Sequence, residues 1–101
     1  MDYQETMETI RAAIQTFGEE NQTVVAIEEL SELQKELCKR LRGSCDNVES
    51  IAEEVADVEI VLAQLCEMLG IDDLVTMYSN FKFKRLQSRI AAEQERRGNV
   101  A

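Results

Sequence analysis

The chain has no histidine, no proline and no tryptophan among its 101 residues, and it has only four glycines and five aromatics. Each scarcity excludes something. A chain this poor in glycine, proline and aromatic residues lacks the vocabulary of a β-sheet protein. Without histidine, and with three cysteines (Cys38, Cys45 and Cys66) that form no CxxC motif, a structural zinc site has no plausible ligand set. An odd number of cysteines also argues against a disulfide framework, so a reducing, cytoplasmic setting is expected. No apolar run approaches the roughly 20 residues needed to span a bilayer, and no signal peptide opens the chain.

What is present is Ala, Glu, Leu, Gln and Arg, the composition of helices. The formal net charge of −9 disfavours nucleic acid polymers and anionic membranes as partners, because both would repel the chain. It leaves room for a small anionic substrate that arrives with a cation. The length suits one domain with a single core.

Apolar periodicity predicts four helices. The first spans about residues 2–16, with Met7, Ile10, Ile14 and Phe17 on one stripe, and Phe17-Gly18 ends it. The second runs from about 19 to 41, with Ala26, Ile27, Leu30, Leu33, Leu37 and Leu41 on one face. The segment RGSCDN reads as a loop, after which Asp46 or Asn47 caps a third helix that lasts to Leu69-Gly70. The fourth opens at Ile71-Asp72-Asp73 and reaches about Arg97. The expected fold is therefore an all-α, four-helix antiparallel bundle-like domain over 1–97, with 98–101 as a frayed tail.

One helix has carboxylates on its oily side. In ESIAEEVADVEIVLAQL, Ile51, Val55, Val58, Val61, Leu62, Leu65 and Leu69 form a broad apolar stripe at about 100° per residue. Glu54 falls inside that stripe and Asp57 on its border, whereas Glu53, Glu59 and Glu67 face away. The second helix carries a similar pair in AIEELSELQKEL. There Glu29 lies at the margin of the apolar face with Glu32 one turn on, and Glu28 turns towards water. Each pair sits at i, i+3, so its members stack on one surface. Antiparallel packing of the two helices would bring four carboxylates together near the core.

Unneutralised, such a group is unfavourable; buried charge must be paired, lose its ionisation or bind a metal. Oxygen ligands without histidine or thiolate point to a hard ion, Mg²⁺ or Mn²⁺, and such ions assist attack of water on phosphates. The plainer reading is that acidic i, i+3 pairs are common on helix surfaces and that Glu54 pairs with a lysine or arginine from a neighbouring helix.

EELSE followed some two dozen residues later by EVAD resembles the EExxE…ExxD signature of the MazG-like, all-α nucleoside triphosphate pyrophosphohydrolases, in the short form found in phages and bacteria. The likeness extends to the Phe-Gly turn, to Gln22 ahead of the first motif, and to NFKFKR near the C-terminus. It implies an Mg²⁺-dependent enzyme that cleaves a nucleoside triphosphate between the α and β phosphates. The products would be a monophosphate and pyrophosphate, in a nucleotide house-cleaning role. On that resemblance Glu29, Glu32, Glu54 and Asp57 are the metal ligands, and one of the glutamates, or Glu28, orients the attacking water. Asn80, Lys82 and Arg85 would meet the substrate, with Lys82 and Arg85 stabilising the leaving pyrophosphate. Phe17 and Gln22 would contact the base, although the tryptophans that surround the base in dCTP-specific members are missing.

On the fourth helix Tyr78, Lys82, Arg85 and Arg89 share a face, and this basic patch equally serves to balance an acidic chain. Phe83, Leu86 and Ile90 make a second apolar stripe, rotated away from Leu74, Tyr78 and Phe81. A helix that is oily on two sides suggests burial against another subunit, and the resemblance likewise implies a homodimer or homotetramer. Two alternatives remain: a phosphoribosyl-ATP pyrophosphohydrolase-like activity, and a non-catalytic helical oligomerisation or adaptor module.

Overall fold

The computed structural model describes residues 1–43 and 45–99. Ser44 of the expected loop, and Val100 and Ala101 of the expected tail, lie outside the described residues. Among those described there are four helices and no strand: α1 (Tyr3–Phe17), α2 (Glu19–Arg42), α3 (Val48–Leu69) and α4 (Asp72–Gly98). None is long and apolar enough to cross a membrane.

Local chemistry sets the ends. Asp2 caps α1 in a reciprocal box, accepting from the Glu5 backbone N–H at 2.8 Å while the Glu5 carboxylate accepts from Asp2 N–H at 3.2 Å. Between α1 and α2 a single residue, Gly18, turns the chain at φ +90°, a conformation that L side chains rarely adopt. Gly43 and Gly70 end α2 and α3 in the left-handed region. Asn47 occupies the N-cap of α3, its backbone oxygen accepting from Ile51 N–H at 3.0 Å, but its side chain makes no cap bond, and Asp46 Oδ1 accepts from Val48 N–H at 3.4 Å. The Asn47 amide reaches across to α2 instead, donating to the Glu36 backbone oxygen and to Glu36 Oε2, both at 2.8 Å.

Chain contacts divide the protein into two compact units, Met1–Gly70 and the segment from Ile71 onward. In the first, α2 packs chiefly on α3, and α1 lies against both. The pairs Glu36–Asn47 and Gln22–Gln64 fix the direction: as residue number rises along α2 it falls along α3, so the two are antiparallel. The core is small, consisting of Ile10, Ala26, Val58 and Val61, with Leu33, Ile51 and Leu65 half-buried beside it. Gln22 and Gln64 are also buried, joined by a 2.8 Å hydrogen bond in which Gln22 Nε2 donates to Gln64 Oε1. Arg11 of α1 pairs with Glu67 of α3 at 2.8 Å.

The predicted apolar stripes are only partly covered. Phe17, Ile27, Leu30, Leu37, Leu41, Val55, Leu62 and Leu69 are exposed. The stripes on α2 and α3 are wider than the contact between two helices, so each helix buries one edge and leaves the other bare. In the second unit α4 has no buried residue, and Leu74, Tyr78, Phe81, Phe83, Leu86 and Ile90 are all exposed.

Candidate functional site

The α2–α3 seam brings together three of the four predicted metal ligands. Glu29, Glu54 and Asp57 each offer a carboxylate oxygen, and these oxygens all lie within 4.8 Å of one another. Glu29 and Glu54 are half-buried, and Asp57 is exposed rather than set on the edge of the core. Glu54 Oε2 is buried and has no hydrogen-bond partner. That isolation counts against the plainer reading, because among the described residues no lysine or arginine forms an ion pair with Glu54.

Like charge at this spacing acts on ionisation. Glu29 has its pKa raised, first by desolvation and then by Asp57, with Glu54 and Glu32 adding to the repulsion. Glu54 is raised in the same order of causes: desolvation, then Asp57, then Glu32 and Glu36. Glu32 is exposed, yet its charge is felt by both residues. Glu28, Glu53 and Glu59 are exposed, as the helical wheel predicts.

A fifth carboxylate, Glu36, belongs to the same edge of α2 and escaped the motif. Asn47 lowers its pKa by hydrogen bonding and Lys39 lowers it further, so Glu36 stays charged close to Glu54. The spacing Glu29, Glu32, Glu36 (i, i+3, i+7) carries that signal, since all three fall on one side of a helix.

The other predicted residues are placed differently. Gln22 is buried, with its amide engaged by Gln64, and Phe17 is exposed at the end of α1. On α4, Asn80, Lys82 and Arg85 are exposed, and Lys82 borders a shallow hollow with Val75, Tyr78 and Ser79. An open groove beside α1, lined by Arg11, Ile14, Gln15, Glu19, Glu67 and Met68, contains none of the predicted residues. Concavity is a weaker guide here than ligand chemistry, because a small ion needs converging oxygens and no deep cavity. No family model, curated protein or solved structure matches this chain.

Proposed function

We propose that Glu29, Glu54 and Asp57, with Glu32 one turn away, hold Mg²⁺ or Mn²⁺, and that the chain is a metal-dependent nucleoside triphosphate pyrophosphohydrolase. The observation that carries the metal reading is the convergence of three carboxylates, one of them Glu54, whose Oε2 is buried without a donor. The donor set fits a hard divalent ion, which takes oxygen ligands and tolerates neighbouring water. The substrate class rests on the resemblance of EELSE…EVAD to the MazG-like enzymes, and house-cleaning of the nucleotide pool follows from it.

A bound divalent ion would supply the positive charge that draws phosphate oxygens to this acidic seam and makes water more acidic. The chain's own residues do the rest. One of the glutamates, or Glu28, accepts a hydrogen bond from the attacking water and fixes its direction. Asn80, Lys82 and Arg85 are assigned to the substrate phosphates on the resemblance alone, with the lysine and arginine suited to offset charge on a leaving pyrophosphate. Phe17 is assigned to the base on the resemblance alone. Gln22 is assigned to the base on the same ground, and its Nε2 also donates to Gln64 Oε1.

A panel of ribo- and deoxynucleoside triphosphates with Mg²⁺ tests the whole reading. Pyrophosphate as first product is expected, and orthophosphate would contradict α–β cleavage. The bare apolar faces of α2, α3 and α4 favour a second reading, a non-catalytic helical oligomerisation module. The two separate on metal: the enzyme is stabilised by Mg²⁺ or Mn²⁺ through Glu54, and the module gives no such response.

A further inference from the structure

Along the α2–α3 seam, residues are spaced alternately four and three apart. On α2 they are Gln22, Ala26, Glu29, Leu33 and Glu36; on α3 they are Asn47, Ile51, Glu54, Val58 and Val61, every one buried or half-buried. Polar and apolar positions therefore alternate. Asn47 Nδ2 donates to Glu36 Oε2 at one end, and Gln22 Nε2 donates to Gln64 Oε1 at the other, both at 2.8 Å. Counting inward from these two ties puts Leu33 level with Ile51 and Ala26 level with Val58. Glu29 falls level with Glu54 and Asp57, whose carboxylate oxygens it does approach. The cluster thus lies two helical turns, about 10.5 Å along α2, from either tie.

Apolar packing alone does not select this alignment. Sliding one helix by seven residues brings Leu33 level with Val58, or Ala26 level with Ile51, so apolar still meets apolar. With only four apolar residues buried, little packing is available to tell the alignments apart. Polar matching does tell them apart. Sliding one way sets Glu36 against Glu54, and sliding the other way sets Glu29 against Asn47. Either slide separates both amides from their partners and takes Glu29 away from Glu54 and Asp57. Among the described residues the buried polar side chains are Gln22, Asn47 and Gln64, and all three are engaged in the ties. Fixing register is the best-attested use of a buried polar side chain between helices.

We propose that Gln22–Gln64 and Asn47–Glu36 form a register clamp, in which Asn47 and Gln64 are positioning residues that hold Glu29 opposite Glu54 and Asp57 at the spacing a divalent ion needs. The purpose of the clamp rests on the metal reading above. Its physical basis is that the ligands come from two helices, so their separation is only as well defined as the register. Magnesium demands near-octahedral oxygens at about 2.0–2.1 Å, and a small slide along the seam spoils that geometry. The ties act through shape and hydrogen bonding, and neither supplies a ligand to the ion.

Affinity for Mn²⁺ without nucleotide, read from the paramagnetic resonance of the free ion, is compared with denaturant stability across a set of full-chain variants. Gln22→Leu with Gln64→Leu leaves no unmet polar group and should unfold near wild type. Its Kd for Mn²⁺ should nonetheless rise by at least about tenfold, the loss usual when the supports of metal ligands are removed. Asn47→Ala should weaken binding similarly. Glu36→Gln keeps an oxygen for Asn47 and should bind nearly as wild type does; a loss as large as that of Asn47→Ala would mean that Glu36 acts by charge, and would overturn the clamp. Ile10→Val, in the core on α1, should lower stability and leave affinity intact. Affinity that merely follows stability across the set would overturn the proposal, as would a leucine pair that binds Mn²⁺ like wild type. One readout needs no metal. Backbone amide resonances of Glu29, Glu54 and Asp57 should be single and sharp in wild type, and doubled or exchange-broadened in the leucine pair. If the wild type binds no Mn²⁺, the metal reading fails, and these spectra still decide the clamp: resonances unchanged by the leucine pair overturn it.

Discussion

Glu54 is where local cost and proposed function meet. One of its oxygens is buried without a donor, and its charge faces Asp57, Glu32 and Glu36. Replacing it with glutamine removes that repulsion while keeping the side chain's shape, so Glu54→Gln should melt at a higher temperature than the wild type when both are metal-free. The same variant should lose stabilisation by Mg²⁺ and lose turnover. Glu59→Gln, at an exposed site away from the cluster, should resemble wild type in all three measurements. Equal metal responses in the two variants would remove the basis for the site.

The same residues set a pH dependence. Glu29 and Glu54 have folded-state pKa values above the ordinary 4.5, so the folded chain binds their protons more tightly than the unfolded chain does. Metal-free stability should therefore rise as pH falls from neutral through the raised values, and the gain is complete once pH drops below 4.5. Glu36 acts in the opposite sense, because its lowered value confers stability that is lost as pH falls through it. Denaturant titrations at stepped pH should show a maximum on the acid side of neutral. Saturating Mg²⁺ should flatten the rise, since metal binding needs the ionised carboxylates. A metal-free stability that falls steadily from neutral to pH 5 would count against the cluster.

At the scale of elements, the α2–α3 seam depends on a few polar contacts because its apolar core is so small. The Gln22–Gln64 bond is buried, and Gln22→Ala would leave Gln64 Oε1 without its donor. A loss of about 1–3 kcal/mol is expected. Converting both residues to leucine removes the unmet polar group and should recover most of that loss, as chemical denaturation of the single and double variants would show. A double variant no better than its parent would mean that the amides act otherwise than through each other.

Much of this arrangement is legible in residue order. Helix periods, the Gly18 turn and the i, i+3 carboxylate pairs depend on neighbours in sequence, and the helices begin and end within about two residues of expectation. Burial was harder to read. A wheel shows Ile27, Leu37 and Leu62 as apolar, but it cannot show which edge of a wide stripe meets a neighbour and which stays bare. Asn47 illustrates the same limit. It takes the N-cap as expected, but its Nδ2 donates to Glu36 on the preceding helix, a contact eleven residues away that no local pattern encodes.

At the scale of the whole molecule, charge is unevenly divided along the chain. Sixteen acidic against five basic residues leave −11 over 1–70, and six basic against four acidic leave +2 over 71–101. Self-repulsion in the first segment should make the protein more stable in salt: from about 0.1 to about 1 M the screening length shrinks from about 10 to about 3 Å. The melting temperature should rise with NaCl for this reason alone, with no specific site involved. Magnesium allows the two effects to be separated. An ion held only in the diffuse atmosphere is displaced by concentrated NaCl, whereas one bound directly by Glu29, Glu54 and Asp57, two of them half-buried, is screened far less. Millimolar Mg²⁺ should therefore still raise the melting temperature in about 1 M NaCl, in the wild type but not in Glu54→Gln. If the magnesium effect vanishes in high salt, or persists in that variant, the ion is a counterion to a very acidic surface, and the proposed chemistry loses its metal.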